Sequence, residues 1–187
     1  MRFPDTFGEH TELTVAMTKA YCDGFQTTEG SPDGWGKDSV NTMVKHFPGG
    51  GPCEAGRDAH YAYGKYAVYP GNNFDEHLKP FTEGAFKLED GTECASAVMP
   101  YYTVSYGQDK VNGENVGNSF SRYLIGDLLR EQLGYDGVVC TDWGITHDEG
   151  STEEEFAGKC WGVEGLTEAQ RHLKALEAGV DQFGGNN

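Results

Sequence analysis

Side chains that could do chemistry stand at the ends of three short apolar runs of the sequence. In chain order they are Lys45 with His46, Met99 with Tyr102, and Asp142 with Trp143. An ammonium group, an imidazole, a phenol and a carboxylate beside an indole would form a polar floor and an aromatic wall. Such a pocket suits a sugar ring, which has many hydroxyls and one apolar face.

Asp142 is the residue around which this site would be organised. The run before it, residues 138–140, is continuously apolar rather than alternating, which predicts a strand covered on both faces. In parallel α/β folds ligands bind at the carboxyl ends of strands, where Asp142 would lie and where Lys45 would keep it ionised. Two structural alternatives remain at this point: Asp142 could cap the following loop, and Lys45 with His46 could form a buried ion pair with a core histidine.

Strand and helix patterns alternate along the whole chain. Strands are predicted at residues 41–47, 95–99, 138–140 and 180–183, and helices at residues 12–25, 74–88, 118–133 and 167–178. A capping box of Thr167 with Gln170 opens the last helix and Gly179 closes it. Apolar residues at helical spacing predict the inward faces of three of the helices: Leu13, Ala16, Met17, Ala20 and Tyr21 in the first, Phe120, Leu124, Leu128 and Leu129 in the third, and Leu173 and Leu176 in the last. This βα series predicts an α/β fold with a parallel sheet. Because a closed eight-stranded barrel typically takes about 250 residues, the chain predicts either a small open sheet or part of a barrel.

Composition excludes several classes of partner. The 187 residues include 14 basic and 30 acidic side chains, a net charge of −16, which opposes binding to nucleic acid or to an anionic membrane. No apolar stretch reaches the ~20 residues of a membrane span, and the first residues lack a signal-peptide pattern, so we expect a soluble chain of unspecified compartment. The five scattered cysteines are expected to be free thiols.

Four motifs are spaced in order along the chain: Lys45-His46-Phe47-Pro48-Gly49, Val98-Met99-Pro100-Tyr101-Tyr102, residues 134–143 and residues 175–181. Together they resemble the N-terminal barrel domain of glycoside hydrolase family three, in its β-glucosidase branch. Residues 2–9 resemble the arginine motif of that family. Since the resemblance covers nearly the whole chain, residues 1–187 are expected to form the later part of a (β/α)₈-like catalytic barrel.

The resemblance implies a retaining glycosidase acting on an oligosaccharide or glycoside, without metal or cofactor. Asp142 would be the nucleophile that forms a glycosyl-enzyme ester. The substrate-binding residues would be Arg2, Lys45, His46, Met99, Tyr102 and Trp143. In the β-glucosidase branch a glutamate from a second domain is the acid/base, so earlier strands and that domain are expected to be missing here and the isolated chain to be inactive.

The loop after the Lys45 motif contains Asp58-Ala59-His60, which leaves an alternative acid/base open. The N-acetylglucosaminidase branch of the family uses an Asp-x-His pair in this loop, and an aspartate-oriented histidine is a credible proton donor. Here the triplet lies two residues further from Lys45 than in that branch, which favours a loop-ordering role. The alternatives to a β-glucosidase are therefore a β-N-acetylhexosaminidase that uses Asp58 and His60, or a non-catalytic carbohydrate-binding scaffold.

Overall fold

The computed structural model describes residues 6–150 and 157–186. The helices are α1 (Thr11–Gln26), α2 (Phe74–Lys79), α3 (Tyr123–Gln132) and α4 (Glu168–Ala178). Helix α2 continues as a π-helical segment, Pro80–Ala85, and α3 is itself π-helical. The strands are β1 (Met43–Phe47), β2 (Tyr66–Ala67), β3 (Ala97–Pro100), β4 (Val104–Ser105) and β5 (Val138–Val139). Within the described ranges, no helix has the length and apolar character needed to cross a membrane.

Successive βα units lie side by side in one parallel sheet. The strand order is β1-β3-β5, and all its pairings are parallel. The predicted strand at residues 180–183 extends this order. Cys140 and Gln182 form a parallel β-bridge, and the Thr141 amide donates to the Gln182 carbonyl at 2.9 Å. A separate parallel pair is formed by β2 and β4. The predicted parallel sheet is confirmed, and its sequential order is that of a barrel wall rather than of a doubly wound sheet.

The core combines residues of the sheet with residues of helices α2, α3 and α4. The strands contribute Phe47, Val98 and Val139, each fully buried. The apolar face predicted for residues 118–133 is confirmed, because its members are buried in the same cluster: Phe120, Leu124, Leu128 and Leu129. This packing fixes the strands whose ends carry the candidate site residues.

Helix α4 begins and ends as its sequence predicts. Thr167 and Gln170 form a capping box, in which the Thr167 hydroxyl accepts from the Gln170 amide at 3.3 Å and the Gln170 side chain accepts from the Thr167 amide at 2.9 Å. Gly179 follows the last turn with φ 116°, in the left-handed region that favours glycine. The helix therefore stops where the chain must return to the sheet at residue 180.

The predicted inward face of α4 is wrong. Leu173 and Leu176 are exposed, and the helix buries Arg171, Ala175 and Ala178 instead. The reason is polar: the buried Arg171 guanidinium donates to three backbone carbonyls of the preceding loop, and this anchoring turns the leucines outward. A hydrogen-bonding requirement therefore outweighs the leucine periodicity.

The apolar stripe of α1 is also exposed. Leu13, Met17 and Tyr21 lie on the surface of the described chain, whereas Gln26 at the end of the helix is fully buried. The Gln26 side chain donates to the Cys94 carbonyl at 2.9 Å and accepts from the Ser96 amide at 2.9 Å. Helix α1 is therefore fixed to the segment before β3 by a buried amide rather than by its apolar stripe.

Replacing Asp181 should destabilise the sheet next to β5. The Asp181 carboxylate accepts from the Val139 amide at 2.8 Å and from Arg130 at 2.5 Å. Asp181→Ala leaves the amide of a fully buried residue without its acceptor, so we expect a loss of about 1–3 kcal/mol in the free energy of unfolding of the full-length protein, measured by denaturant titration. The control Asp136→Ala, which removes an exposed carboxylate from the same region, should change it by less than about 0.5 kcal/mol. Equal losses in the two variants would contradict this role for Asp181.

Candidate functional site

The candidate site residues lie at the carboxyl ends of the parallel strands. Lys45 in β1 is paired with Met99 in β3, and the register shifts before the next pair, Phe47 with Pro100. This irregularity places one extra residue, His46, on the β1 side, and such bulges re-aim side chains at sheet edges. The Lys45–His46 and Phe47–Pro48 peptide bonds are both cis.

Asp142 follows the end of β5 and is buried, with only 4% of its surface exposed. Its Oδ1 accepts a hydrogen bond from the Trp143 amide at 2.8 Å. Its Oδ2 lies 3.5 Å from His46 Nε2 and has no hydrogen-bond partner among the residues that the structure describes. One carboxylate oxygen is thus fixed by the backbone, and the other keeps its lone pairs for a further partner.

Burial raises the pKa of Asp142 above its ordinary value. The Trp143 amide and the Tyr102 hydroxyl, which faces the carboxylate, oppose this rise. The electrostatic interactions with Lys45 and His60 oppose it as well. Lys45 therefore acts in the predicted direction, but desolvation outweighs it.

Tyr102 is the aromatic centre of the site. Burial, and secondly the neighbouring Asp142 carboxylate, raise the pKa of its phenol far above the ordinary value, so the hydroxyl stays protonated and can donate. The His60 ring packs edge-on against it at a centroid distance of 5.3 Å, and Trp161 does so at 6.3 Å. The ammonium group of Lys159 lies 4.9 Å from the ring centroid.

Trp143 lies at the surface beside Asp142, with 63% of its area exposed. Its ring is held close to the backbone of Gly185, where an added Cβ would come within 2.4 Å of the indole. Gly185 also has φ 64°, in the left-handed region. The neighbouring Gly184 amide donates to the Thr141 hydroxyl at 3.0 Å, so the glycine pair joins the loop after β5 to the next strand.

Asp58 and His60 form a dyad in the loop after β1. Asp58 Oδ1 accepts from the His60 amide at 2.9 Å and lies 2.7 Å from His60 Nδ1. Burial raises the pKa of Asp58, but the hydrogen bonds from His60 outweigh it and bring the pKa below its ordinary value. Gly64 is required beside this turn, since a Cβ there would lie 2.1 Å from the Asp58 carbonyl. The dyad is therefore ordered by its own loop and also reaches the Tyr102 ring.

The remaining predicted site residues differ in how far they are buried. Lys45 is exposed in the described chain, so it does not form the buried ion pair of the structural alternative. His46 is half-buried, and its Nε2 lies 3.5 Å from Oδ2 of the buried Asp142. Met99 is buried and lies beside Lys45 as its partner on the neighbouring strand. Arg2 lies outside the described residues.

Sequence patterns missed three residues of this region. Tyr101 packs against His46 with ring centroids 4.4 Å apart, and Lys159 and Trp161 pack against Tyr102. Tyr101 adjoins the predicted Tyr102, which was a usable signal. Lys159 and Trp161 lie in a loop without periodicity, more than fifty residues further along the chain, and no local pattern connects them to the site.

The described side chains do not form a metal site. No group of three or more His, Cys, Asp or Glu residues within residues 6–150 and 157–186 could hold a metal ion. The predicted free thiols are confirmed for all five cysteines: Cys22, Cys53, Cys94, Cys140 and Cys160. The chemistry available at this site is that of two carboxylates, two phenols, two imidazoles and two ammonium groups.

Comparison with known proteins connects this arrangement to a family. Residues 2–183 match the family described as "Glycosyl hydrolase family 3 N terminal domain". The chain is 47% identical over 184 residues to "Beta-glucosidase C" of Emericella nidulans, covering 98% of this chain and 28% of that protein. It is 41% identical over 197 residues to "Periplasmic beta-glucosidase/beta-xylosidase" of Dickeya chrysanthemi, covering 98% of this chain and 28% of that protein.

A solved structure supports the same assignment. The β-glucosidase EmGH1 from Erythrobacter marinus superposes with a TM-score of 0.66 at 26% identity, covering 100% of this chain and 21% of that chain. The prediction of parallel βα units of a (β/α)₈-like barrel is confirmed, and the chain spans about 28% of the length of the curated relatives named above. The chain belongs to glycosyl hydrolase family 3, whose N-terminal domain it matches over nearly its whole length.

Proposed function

We propose that the full-length protein is a retaining glycosidase, a β-glucosidase that removes terminal non-reducing β-D-glucosyl residues. The observation that carries this proposal is the buried Asp142 carboxylate, with one oxygen fixed by the Trp143 amide and the other without a hydrogen-bond donor among the described residues. An oriented carboxylate of this kind suits nucleophilic attack on an anomeric carbon. The names of the relatives from Emericella nidulans and Dickeya chrysanthemi support glucoside as the substrate.

The reaction would proceed in two displacements at the anomeric carbon. Asp142 Oδ2 attacks this carbon while the glycosidic C–O bond breaks and the departing oxygen takes a proton from a general acid. Water then attacks the same carbon, gives a proton to the same group acting as base, and releases Asp142 as the carboxylate. The configuration at the anomeric carbon is retained because it inverts twice.

The neighbours of Asp142 would hold the sugar. The exposed Lys45 ammonium and the half-buried His46 imidazole lie on the β1 side, where they can bind hydroxyls. The protonated Tyr102 hydroxyl can donate to the sugar or to the carboxylate, and the exposed Trp143 indole offers an apolar surface for the ring face. Arg2 is assigned to the same subsite through the motif resemblance alone.

We place the acid/base on a carboxylic acid outside the 187 residues of this chain. A retaining mechanism needs that group ~5 Å from Asp142. Domain 1–187 would then contribute the nucleophile and the sugar subsite, and the complete enzyme would require further chain to protonate the leaving group.

A second candidate is a β-N-acetylhexosaminidase in which His60 is the acid/base. It is favoured by the 2.7 Å contact between His60 Nδ1 and Asp58, and by the packing of His60 against Tyr102 close enough to influence Asp142. Assay of the full-length protein with aryl β-glucoside and aryl N-acetyl-β-glucosaminide separates the two activities. Binding of sugar without turnover of either substrate would instead support a non-catalytic scaffold.

The first test of the proposed function is covalent labelling of the nucleophile. A fluorosugar inactivator that slows deglycosylation should esterify Asp142 in the full-length protein, and peptide mapping should find the label there. Asp142→Ala should remove turnover and labelling, whereas the control Asp136→Ala should retain both. A label on any other carboxylate, or an active Asp142→Ala variant, would refute the assignment.

We also expect the ionised form of Asp142 to lower the stability of the folded protein, by an amount that depends on pH. Its pKa is raised in the folded state by burial, so the folded protein binds more protons than the unfolded chain above the unfolded pKa of ~3.9, and stability falls as the pH rises through the folded pKa. Asp142→Asn removes this titration, so its advantage in melting temperature over the unsubstituted protein should grow as the pH rises from about 4 towards 7. A difference that stays constant across this range would show that Asp142 carries no such cost.

The role of His60 can be separated from that of an external acid/base. His60→Ala should leave turnover of an activated aryl glucoside within about tenfold, because loss of a true acid/base usually costs ~10²–10⁴-fold, most clearly in the deglycosylation step. Azide attacks a glycosyl-enzyme without base assistance, so it should not accelerate this variant. A large loss that azide restores, together with preference for N-acetylglucosaminide, would transfer the acid/base to His60.

A further inference from the structure

Lys159 is a buried cation that the proposed mechanism does not use. It is 3% exposed, and its ammonium group donates to the Ala157 carbonyl at 2.7 Å. The same ammonium lies 4.9 Å from the centroid of the Tyr102 ring. Because burying an ammonium group is costly, the contacts that fix it here need a reason.

A cation over an aromatic ring is attracted by the negative face of the π-system, and the attraction is stronger when the pair is shielded from water. Both Lys159 and Tyr102 are buried, so their contact is of the stronger kind. The segment that carries Lys159 is itself fixed: Trp161 is buried, its carbonyl accepts from the Gly117 amide at 2.8 Å, and its ring packs against Tyr102. Lys159 is therefore anchored independently of Tyr102 and can hold the ring in place.

The other end of Tyr102 faces the reactive carboxylate. Its hydroxyl interacts with the Asp142 carboxylate. A small rotation of the Tyr102 ring would move its hydroxyl relative to Asp142 and to any sugar between them. The position of the ring therefore bears on the geometry of the nucleophile.

We propose that Lys159 is a positioning residue, which holds the Tyr102 ring through its cation–π contact so that the phenol hydroxyl stays directed at Asp142. This inference rests on the proposed function of Asp142 as nucleophile. In this proposal Lys159 acts on the reaction through its contact with the Tyr102 ring.

A double-mutant cycle in the full-length protein tests this path. Lys159→Met keeps the length of the side chain but removes the cation, and should lower kcat/KM for an aryl β-glucoside about tenfold. In the Tyr102→Phe background, where there is no hydroxyl to direct, the same substitution should lower it less than about twofold. Lys159→Arg keeps a cation and should stay within about threefold of the unsubstituted protein.

The matched control is Lys174→Met, which removes a lysine that pairs with Glu114 at 2.7 Å on the α4 side, and should leave kcat/KM within about twofold. Independent, multiplicative losses in the Lys159 and Tyr102 variants would overturn the inference, as would an inactive Lys159→Arg. If Lys159→Met does not fold, Lys159→Gln takes its place in the cycle. Failure of both neutral variants to fold would show that the cation serves the fold rather than Tyr102, and would also overturn it.

A crystal structure of the Lys159→Met protein gives a readout that does not depend on turnover. The Tyr102 hydroxyl should be displaced from Asp142, while Trp161 keeps its place. An unmoved Tyr102 would overturn the positioning role. Absence of glucosidase activity in the unsubstituted protein would instead overturn the proposed function, so the two failures are distinguishable.

Discussion

Burial of a carboxylate at the end of a strand is the constraint on which this site depends. Desolvation disfavours the ionised form of Asp142, which the proposed nucleophilic role requires. The backbone amide of Trp143 and the nearby charge of Lys45 reduce this cost without removing it. The ionised Asp142 carboxylate therefore lowers the stability of the folded protein, and the contacts of the surrounding sheet must hold it in place.

The neighbouring strands of the parallel sheet supply these contacts. The strand that carries Asp142 lies between β3 and the segment at residues 180–183, and each neighbour contributes backbone hydrogen bonds to it. The Asp181 side chain adds a further acceptor to the Val139 amide, and the Gly184 amide holds the Thr141 hydroxyl. The residues on either side of the nucleophile are thus fixed from both edges of the strand.

The features that the sequence predicted correctly are those that depend on a local sequence pattern. Strand ends at Lys45, Met99 and Asp142 follow from short apolar runs, and the α4 boundaries follow from the capping box and Gly179. The sequence prediction was wrong where a buried polar group decided orientation, as in α4, and where burial depends on neighbours outside the element. Val138 illustrates the second case: the continuous apolar run predicts cover on both faces, yet this residue is 42% exposed in the described chain. Contacts made by distant irregular loops, such as that of Lys159 with Tyr102, leave no periodic signal at all.

Tyr102 contacts several residues of the site at once, so a substitution at Tyr102 changes more than one interaction. The His60 imidazole, the Lys159 ammonium and the Trp161 indole all pack on its ring, while its hydroxyl faces Asp142. Removing the whole ring would release the dyad and the buried cation together, so its effect would exceed that of losing one hydroxyl. Tyr102→Phe removes only the hydroxyl and keeps the π-surface on which all three neighbours pack. The two proton-transfer chemistries considered for this scaffold, through His60 or through an external carboxylic acid, therefore share one aromatic support next to the nucleophile, and differ only in which group reaches the leaving oxygen.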